Sequence, residues 1–177
     1  MRPPGGGGVV STAVATGVWS LDPRTSSARF RVRDKLVTTT RGTVPLVGGG
    51  AVVDDAGTVT GAFVELDLAG IDTGLARRDA HLRSPGLLGT DEHPVARVET
   101  TAVEPTPDGW QARARLRACG GSAPLNLAVR VAEHGAGQVV VHVTGDLDRS
   151  PLGMRVPSFV IGRTVHLEVD LTLRLHP

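Results

Sequence analysis

Residues 71–85, IDTGLARRDAHLRSP, carry the densest group of side chains that could take part in chemistry. Asp79 and His81 stand two positions apart, and His93 follows beyond Pro85. A carboxylate with two imidazoles can hold a metal ion or remove a proton from a substrate. The gap of 12 residues between the histidines, however, matches no spacing along one face of a helix. We therefore predict no metal ligand, no catalytic residue and no cofactor, so that the protein is not an enzyme. A hydrolase-type or other small-molecule enzyme that uses His81 and Asp79 is the alternative.

The same segment has the composition of a short helix that lies beside a loop. Asp72 or Thr73 can cap such a helix, and Pro85 ends it, which predicts a helix over about residues 74–83. A helix of two or three turns is marginal alone in water, so it must lie on something larger. We expect it near one end of the fold.

The charged side chains of this helix have two possible roles. Asp79 can pair with an arginine of the segment or with Arg149, or accept backbone N–H groups, and so fix the loop. Alternatively, the basic side chains can contact a polar head group such as a pyrophosphate or a quinone oxygen, because the forked donors of arginine suit phosphate. The predicted lid or head-group set consists of Arg77, Arg78, Asp79, His81 and Arg149.

Outside this segment, apolar and polar residues alternate in run after run between turn signals. In the last run, residues 165–175, every odd position is Val or Leu and every even position is polar or charged. A helix would scatter these residues around its circumference, whereas a strand sorts them onto two faces. Similar runs elsewhere bring the number of predicted strands to about eight or nine.

Strands with one apolar and one charged face must hide their apolar faces together. A closed barrel does this and also removes exposed sheet edges. Aromatic residues are only 3% of the chain, so few rings are available to fill the centre. We predict an antiparallel eight-stranded barrel with a ligand in its interior, and a filled-core structural or interaction barrel is the alternative. The predicted apolar lining consists of Phe30, Val32, Val64, Leu66, Leu116, Leu127, Val129, Val141, Val143, Leu167, Val169 and Leu171.

The overall composition limits the kinds of partner. The 177 residues suggest one domain, and 19 basic against 18 acidic residues give a net charge of +1. This balance and the scarcity of aromatic rings argue against a nucleic-acid binder. Cys119 is the single cysteine, which excludes an intramolecular disulfide and a cysteine-based zinc cluster.

The amino terminus differs from the rest of the chain. Residues 1–17 are rich in Gly and Pro near their start, and we predict a flexible tail there, followed by a single domain over 18–177. The apolar part of this tail is too short and too polar for a secretory signal, which favours a cytoplasmic location and leaves a periplasmic or secreted one open.

The stretch from Arg24 to Arg41 is basic and could contact a membrane. Its arginines alternate with apolar residues, which places them on one strand face, and such a face can dock on an anionic leaflet. A flat barrel face could also be self-complementary, so that a homodimer is possible.

Three blocks of the sequence, in this order and spacing, resemble the YceI-like family. They are VWSLDPRTSSARFRV, IDTGLARRDAHLRSPGLLGTDEHPVARVET and DLDRSPLGM, and the resemblance runs from about Val18 to Pro177. It implies a lipocalin-like β-barrel that binds polyisoprenoids and related long-chain lipids. On this basis we predict a carrier or storage protein for an isoprenoid or isoprenoid quinone, or another long-chain lipid such as a fatty-acyl lipid.

The chain also departs from the family pattern at several positions. Thr25 and Asp34 stand where histidines are usual, and Cys119 precedes Gly120 where the family has His-Gly. Aromatic positions of the family are aliphatic in this chain, at Leu87, Leu88 and Leu152. These exchanges keep the barrel prediction and change the expected shape of the cavity.

Overall fold

The computed structural model describes residues 13–34, 38–156 and 161–177, which form ten strands, one α-helix and three short 3-10 helices. The first five strands are β1 (Gly17–Leu21), β2 (Ser27–Asp34), β3 (Thr39–Val44), β4 (Leu46–Val53) and β5 (Val59–Asp67). The helix α1 (Ala76–Leu82) follows, and then β6 (Val95–Thr106), β7 (Gly109–Ala118), β8 (Gly121–Gly135), β9 (Gln138–Asp148) and β10 (Ile161–Leu175). The 3-10 helices are Pro23–Thr25, Leu68–Gly70 and Ser150–Leu152.

All ten strands belong to one antiparallel sheet that closes on itself. One edge of β10 pairs with β9, and the other edge pairs with β2 and then with β1. In the same way, β3 pairs with β2, and β4 pairs with β1. β1 and β2 together form one long bent strand, and β3 and β4 form another. The wall of the barrel therefore contains eight strands. The structure thus confirms the predicted antiparallel eight-stranded barrel.

The alternation along the strands sorts the side chains as predicted. In β7 the residues Ala112, Ala114 and Leu116 are buried, while the arginines between them are exposed. β10 begins at Ile161, four residues before the predicted run, and a register irregularity separates Ile161 from Val165. In the alternating strands the apolar residues therefore point into the barrel and the polar residues point to solvent, whereas β1 and β4 also expose Val18, Val47 and Val52.

At the break between β1 and β2, hydroxyl groups supplement the backbone hydrogen bond from the Asp22 N–H to the Thr172 carbonyl (2.9 Å). The Ser26 hydroxyl donates to the Asp22 carbonyl (2.7 Å) and accepts from the Thr172 N–H (2.9 Å). The buried Thr172 hydroxyl donates to the Thr25 carbonyl (3.1 Å). β10 thus stays bonded to the first bent strand while that strand turns its corner.

The end of the barrel where β1 begins is packed with apolar side chains. Trp19 is 2% exposed, and its Nε1 donates to the Ala15 carbonyl (2.9 Å). Val14 is also buried there and packs in the same cluster. Residues 13–17, which we predicted as part of a flexible tail, thus contact the barrel; residues 1–12 of that tail lie outside the described residues.

The helix is shorter than predicted, and both predicted caps are wrong. α1 covers residues 76–82 instead of 74–83, and Leu75 occupies the capping position without a side-chain hydrogen bond. Gly74 has a φ of +82°, a left-handed conformation that prevents the helix from starting earlier. The Asp72 carboxylate accepts from the Gly74 N–H (2.8 Å) instead of capping the helix. Among the described residues, no helix has the length and apolar character needed to cross a bilayer.

The two tryptophans, which both border the cavity, differ in burial and so should differ in their contribution to stability. Trp19→Ala should lower the free energy of unfolding by about 3–5 kcal/mol, because Trp19 is 2% exposed and the substitution removes a buried side chain together with its hydrogen bond to Ala15. Trp110→Ala should cost less, because Trp110 is only partly buried. Denaturant unfolding followed by circular dichroism measures both. Equal losses in the two variants would contradict this difference in packing.

Candidate ligand cavity

The interior of the barrel contains a cavity of about 950 Å³. Its wall is built mainly from Val, Leu and Ala side chains on the inward faces of the strands. All twelve residues predicted as apolar lining lie on this wall; that they contact a ligand stays a prediction. These residues are Phe30, Val32, Val64, Leu66, Leu116, Leu127, Val129, Val141, Val143, Leu167, Val169 and Leu171.

Several wall residues were absent from the predicted set. On the strands, Ala112, Leu125 and Val139 follow the same alternation and could have been included on that signal. At the α1 end, Leu87 and Leu88 join the wall from the loop after α1, and Leu152 joins it from the 3-10 helix Ser150–Leu152, where no period-two pattern marks them. At these three positions, where the pattern of the resembling family has aromatic residues, the wall is aliphatic.

Polar side chains reach the cavity chiefly at the α1 end. Arg78, His81 and Arg149 of the predicted lid set lie on its wall, together with Thr38 and Thr40. His81 and Thr38 are also exposed to solvent, so the cavity opens at this end in the part of the chain that the structure describes. We call this the open end of the barrel. The remaining two members of the predicted set, Arg77 and Asp79, are not on the wall.

Arg78 and His81 keep hydrogen-bonding capacity for a ligand. Arg78 donates from Nε to the Thr73 hydroxyl (2.8 Å) and from Nη2 to the Thr73 carbonyl (2.8 Å). Its Nη1 and the His81 ring have no hydrogen-bond partner among the described residues. One edge of a guanidinium and one imidazole therefore remain available beside the cavity.

Asp79 has a structural role instead of facing the ligand space. It is buried and accepts hydrogen bonds from the Thr73 N–H (3.0 Å) and the Thr73 hydroxyl. The Thr73 hydroxyl lowers the pKa of Asp79 most, the Thr73 N–H and the charges of Arg83 and Arg78 lower it further, and burial opposes them. Of the roles considered for Asp79, the structure shows the acceptance of a backbone N–H. In the described residues no hydrogen bond joins Asp79 to His81.

Two further arginines bind backbone carbonyls around the open end. Arg83 donates from Nε to the Ala69 carbonyl (2.7 Å) and from Nη2 to the Ile71 carbonyl (3.0 Å), which ties α1 to the preceding 3-10 helix. Arg149 is 6% exposed and donates from Nη2 to the Ile161 carbonyl (2.7 Å) and from Nε to the Gly162 carbonyl (2.9 Å). Arg149 therefore holds the start of β10 in place.

Cys119 lies on the cavity wall in the turn between β7 and β8. Its φ of 56° is left-handed, and Gly120 after it also has a positive φ. Burial raises the pKa of its thiol, so the thiolate is disfavoured at neutral pH. The residue thus contributes a small, weakly polar surface to the wall.

The remaining histidines do not gather around a metal site. Within the described ranges, no group of three or more His, Cys, Asp or Glu side chains is arranged to hold a metal ion. His93 is exposed, with Nε2 4.0 Å from a carboxylate oxygen of Glu92. The structure therefore does not arrange the three residues considered from the sequence as a metal site: Asp79, His81 and His93.

Replacing the Asp79 carboxylate by a neutral amide tests its structural role. Asp79→Asn should lower the free energy of unfolding at neutral pH, because the Thr73 donors lose a charged acceptor. The folded-state pKa of Asp79 lies below its unfolded value, so this stabilisation is present above about pH 4 and is lost as the pH falls through the folded-state pKa. Denaturation at neutral and acidic pH should show the difference closing on acidification. Asp91→Asn, at an exposed position, should behave like the wild type, and a difference independent of pH for Asp79→Asn would contradict the role.

The comparisons with known proteins agree with this architecture. The sequence matches the profile of the YceI-like domain over residues 19–173, and no protein of curated function matches it significantly. The barrel is similar to the crystal structure of Burkholderia cenocepacia BcnA, with a TM-score of 0.73, 17% identity and coverage of 86% of this chain and 98% of that chain. It is also similar to a polyisoprenoid binding domain from Saccharophagus degradans implicated in plant cell wall breakdown, with a TM-score of 0.70, 17% identity and coverage of 89% and 98%. For the YCEI protein of Campylobacter jejuni the TM-score is 0.68, with 15% identity and coverage of 80% and 88%. The profile match spans most of the sequence, and the chain therefore belongs to the family of YceI-like domains.

Proposed function

We propose that the barrel binds one long apolar lipid, an isoprenoid or isoprenoid quinone, as a carrier or storage protein. The observation that carries this proposal is the cavity of about 950 Å³ with an aliphatic wall. Ligand cavities in proteins span roughly 300–1,000 Å³, so this interior is at the large end of that range. An empty space of this size also argues against the filled-core barrel.

The wall supplies enough binding energy without any charged contact. Moving a methylene group from water into an apolar site gains about 0.8 kcal/mol. Ten such groups give roughly 8 kcal/mol before association costs, and a net binding free energy of about that size is what micromolar affinity requires. A chain of a few isoprene units has more apolar groups than this, so it can offset part of the cost of ordering both partners.

The position of the polar groups favours a lipid with a polar end. The apolar end of the cavity is closed by Trp19 and Val14, while Arg78 and His81 lie at the open end. A lipid with its tail against Trp19 places its head group beside the free Nη1 of Arg78. Guanidinium groups bind phosphate and carbonyl oxygens, so a diphosphate or a quinone ring suits this end.

A structural neighbour supports the same class of ligand. The domain from Saccharophagus degradans is described as polyisoprenoid binding. The aliphatic residues Leu87, Leu88 and Leu152 at the open end give room for a bulky head group. The binding proposal needs no catalytic residue, and Asp79 accepts its hydrogen bonds from Thr73.

Two substitutions on adjacent residues of β8, one facing the cavity and one facing solvent, test whether the ligand occupies the interior. Val129 is on the cavity wall and Ala128 is exposed on the outer face. Val129→Trp should occupy ligand space and reduce uptake of an isoprenoid quinone more than tenfold, whereas Ala128→Trp should bind like the wild type. Organic extraction with mass spectrometry, after loading the delipidated protein, measures uptake. A delipidated wild type that takes up no isoprenoid, quinone or fatty-acyl probe would overturn the proposed function.

The head-group contact predicts a dependence on the polar end of the ligand. Arg78→Gln should weaken binding of an isoprenoid diphosphate by about tenfold, in line with the loss of one charged hydrogen bond. Binding of a hydrocarbon of the same length should not change, which also shows that the lid remains folded. Isothermal titration with both ligands separates these effects. Equal weakening for the two ligands would contradict a head group at this end.

A further inference from the structure

The outer face of the β2–β3 hairpin carries three arginines without partners. Arg31, Arg33 and Arg41 are exposed, and Arg31 lies directly opposite Arg41 in the register of the hairpin. None of the three has a hydrogen bond or an ion pair within the described residues. Arg29 on the same face differs, because two carboxylates of β10 bind it at 3.0 and 3.2 Å. Three cationic groups therefore remain free to bind anions.

A surface groove of about 520 Å³ runs beside two of these arginines. The groove also contains three carboxylates, and each is hydrogen-bonded. Asp146 is bonded to His166, Glu168 accepts from Arg29, and Asp72 accepts from the Gly74 N–H. Arg31 and Arg41 are the cationic groups of the groove that make no hydrogen bond or ion pair within the described residues. Paired guanidinium groups of this kind suit the phosphate of a lipid head group.

This cationic face lies at the open end of the barrel, beside an exposed apolar side chain. The Thr43 N–H of β3 donates to the Asp72 carbonyl (2.8 Å), which holds the segment leading to α1 against the hairpin. Leu75 in that segment is 58% exposed, and Arg77 after it is exposed as well. An apolar residue next to basic ones is the arrangement by which peripheral segments enter the bilayer interface.

The closed end of the barrel carries the opposite charge. The turns there hold Asp54 and Asp55 between β4 and β5, and Asp108 between β6 and β7, with Glu104 and Glu133 close by on the strands. These five acidic residues outnumber the two arginines at that end, Arg130 and Arg174. A molecule that is positive at one end and negative at the other is oriented by the field of a charged surface. An anionic surface attracts the open end and repels the closed end.

We propose that the open end docks on an anionic phospholipid bilayer through Arg31, Arg33 and Arg41, with Leu75 entering the interface. The purpose of docking rests on the proposed function: the cavity opening then faces the leaflet, and a lipid passes between bilayer and barrel without crossing water. Docking itself depends only on the outer surface, because none of the three arginines lines the cavity.

Vesicle binding of the full chain tests this proposal. The wild type should sediment with vesicles of phosphatidylcholine and phosphatidylglycerol, but not with phosphatidylcholine alone, and high salt should release it. Each basic residue near an anionic surface strengthens partitioning by roughly fivefold. The triple variant Arg31→Gln, Arg33→Gln, Arg41→Gln should therefore bind the anionic vesicles more than tenfold more weakly. The control Arg24→Gln, Arg113→Gln, Arg130→Gln removes the same charge from exposed positions away from the open end and should bind like the wild type.

The outcomes separate docking from lipid uptake. Loss of vesicle binding with unchanged uptake of a detergent-solubilised quinone in the triple variant supports docking. A wild type that binds vesicles but no quinone leaves docking supported and overturns the proposed function. Equal binding to the two kinds of vesicle, an equal loss in the control variant, or equally tight binding to double-stranded DNA would each overturn docking. In the variant Leu75→Trp, the fluorescence of the added indole should shift to the blue with anionic vesicles. The absence of a shift would show that residue 75 does not enter the interface.

Discussion

The pairing of both edges of β10 is the constraint on which the rest of the structure depends. One edge is bonded along its length to β9, and the other to β2 and then β1, so the sheet has no free ends to adjust. Eight strands fix the circumference of the wall, and the interior must be filled by whatever points inward. Here the inward side chains are mainly Val, Leu and Ala. Short aliphatic side chains on a wall of fixed size do not meet at the centre, and the cavity is the direct result.

Three charged side chains around the mouth of the cavity hold backbone in place. Asp79 accepts from Thr73, Arg83 donates to two carbonyls before α1, and Arg149 donates to the first residues of β10. These bonds replace the ladder hydrogen bonds that loops lack, and they explain why buried charges are tolerated beside an apolar cavity. Arg78 and His81 stand out because part of their hydrogen-bonding capacity is unused.

The strand pattern could be predicted because a wall with one face inside imposes a period of two on the sequence. This is why the residues selected by alternation, such as Leu127 and Val169, lie on the cavity wall. The helix bounds could not be predicted in the same way, because the left-handed Gly74 and the bond between Thr73 and Asp79 decide them. The corner between β1 and β2 depends on Thr172, which is far away in sequence, and loop residues such as Leu87 reach the wall without any periodic signal.

The closure of one end of the cavity by Trp19 and Val14 determines how a ligand can enter and leave. Because these side chains close one end, the cavity opens within the described residues at the α1 end. A ligand must therefore enter and leave through that same opening. A linear ligand that enters with its apolar chain first must leave with its polar head group first. If the barrel is a carrier as proposed, an acceptor of its ligand would meet the polar group before the chain, and the architecture of the barrel would set that order.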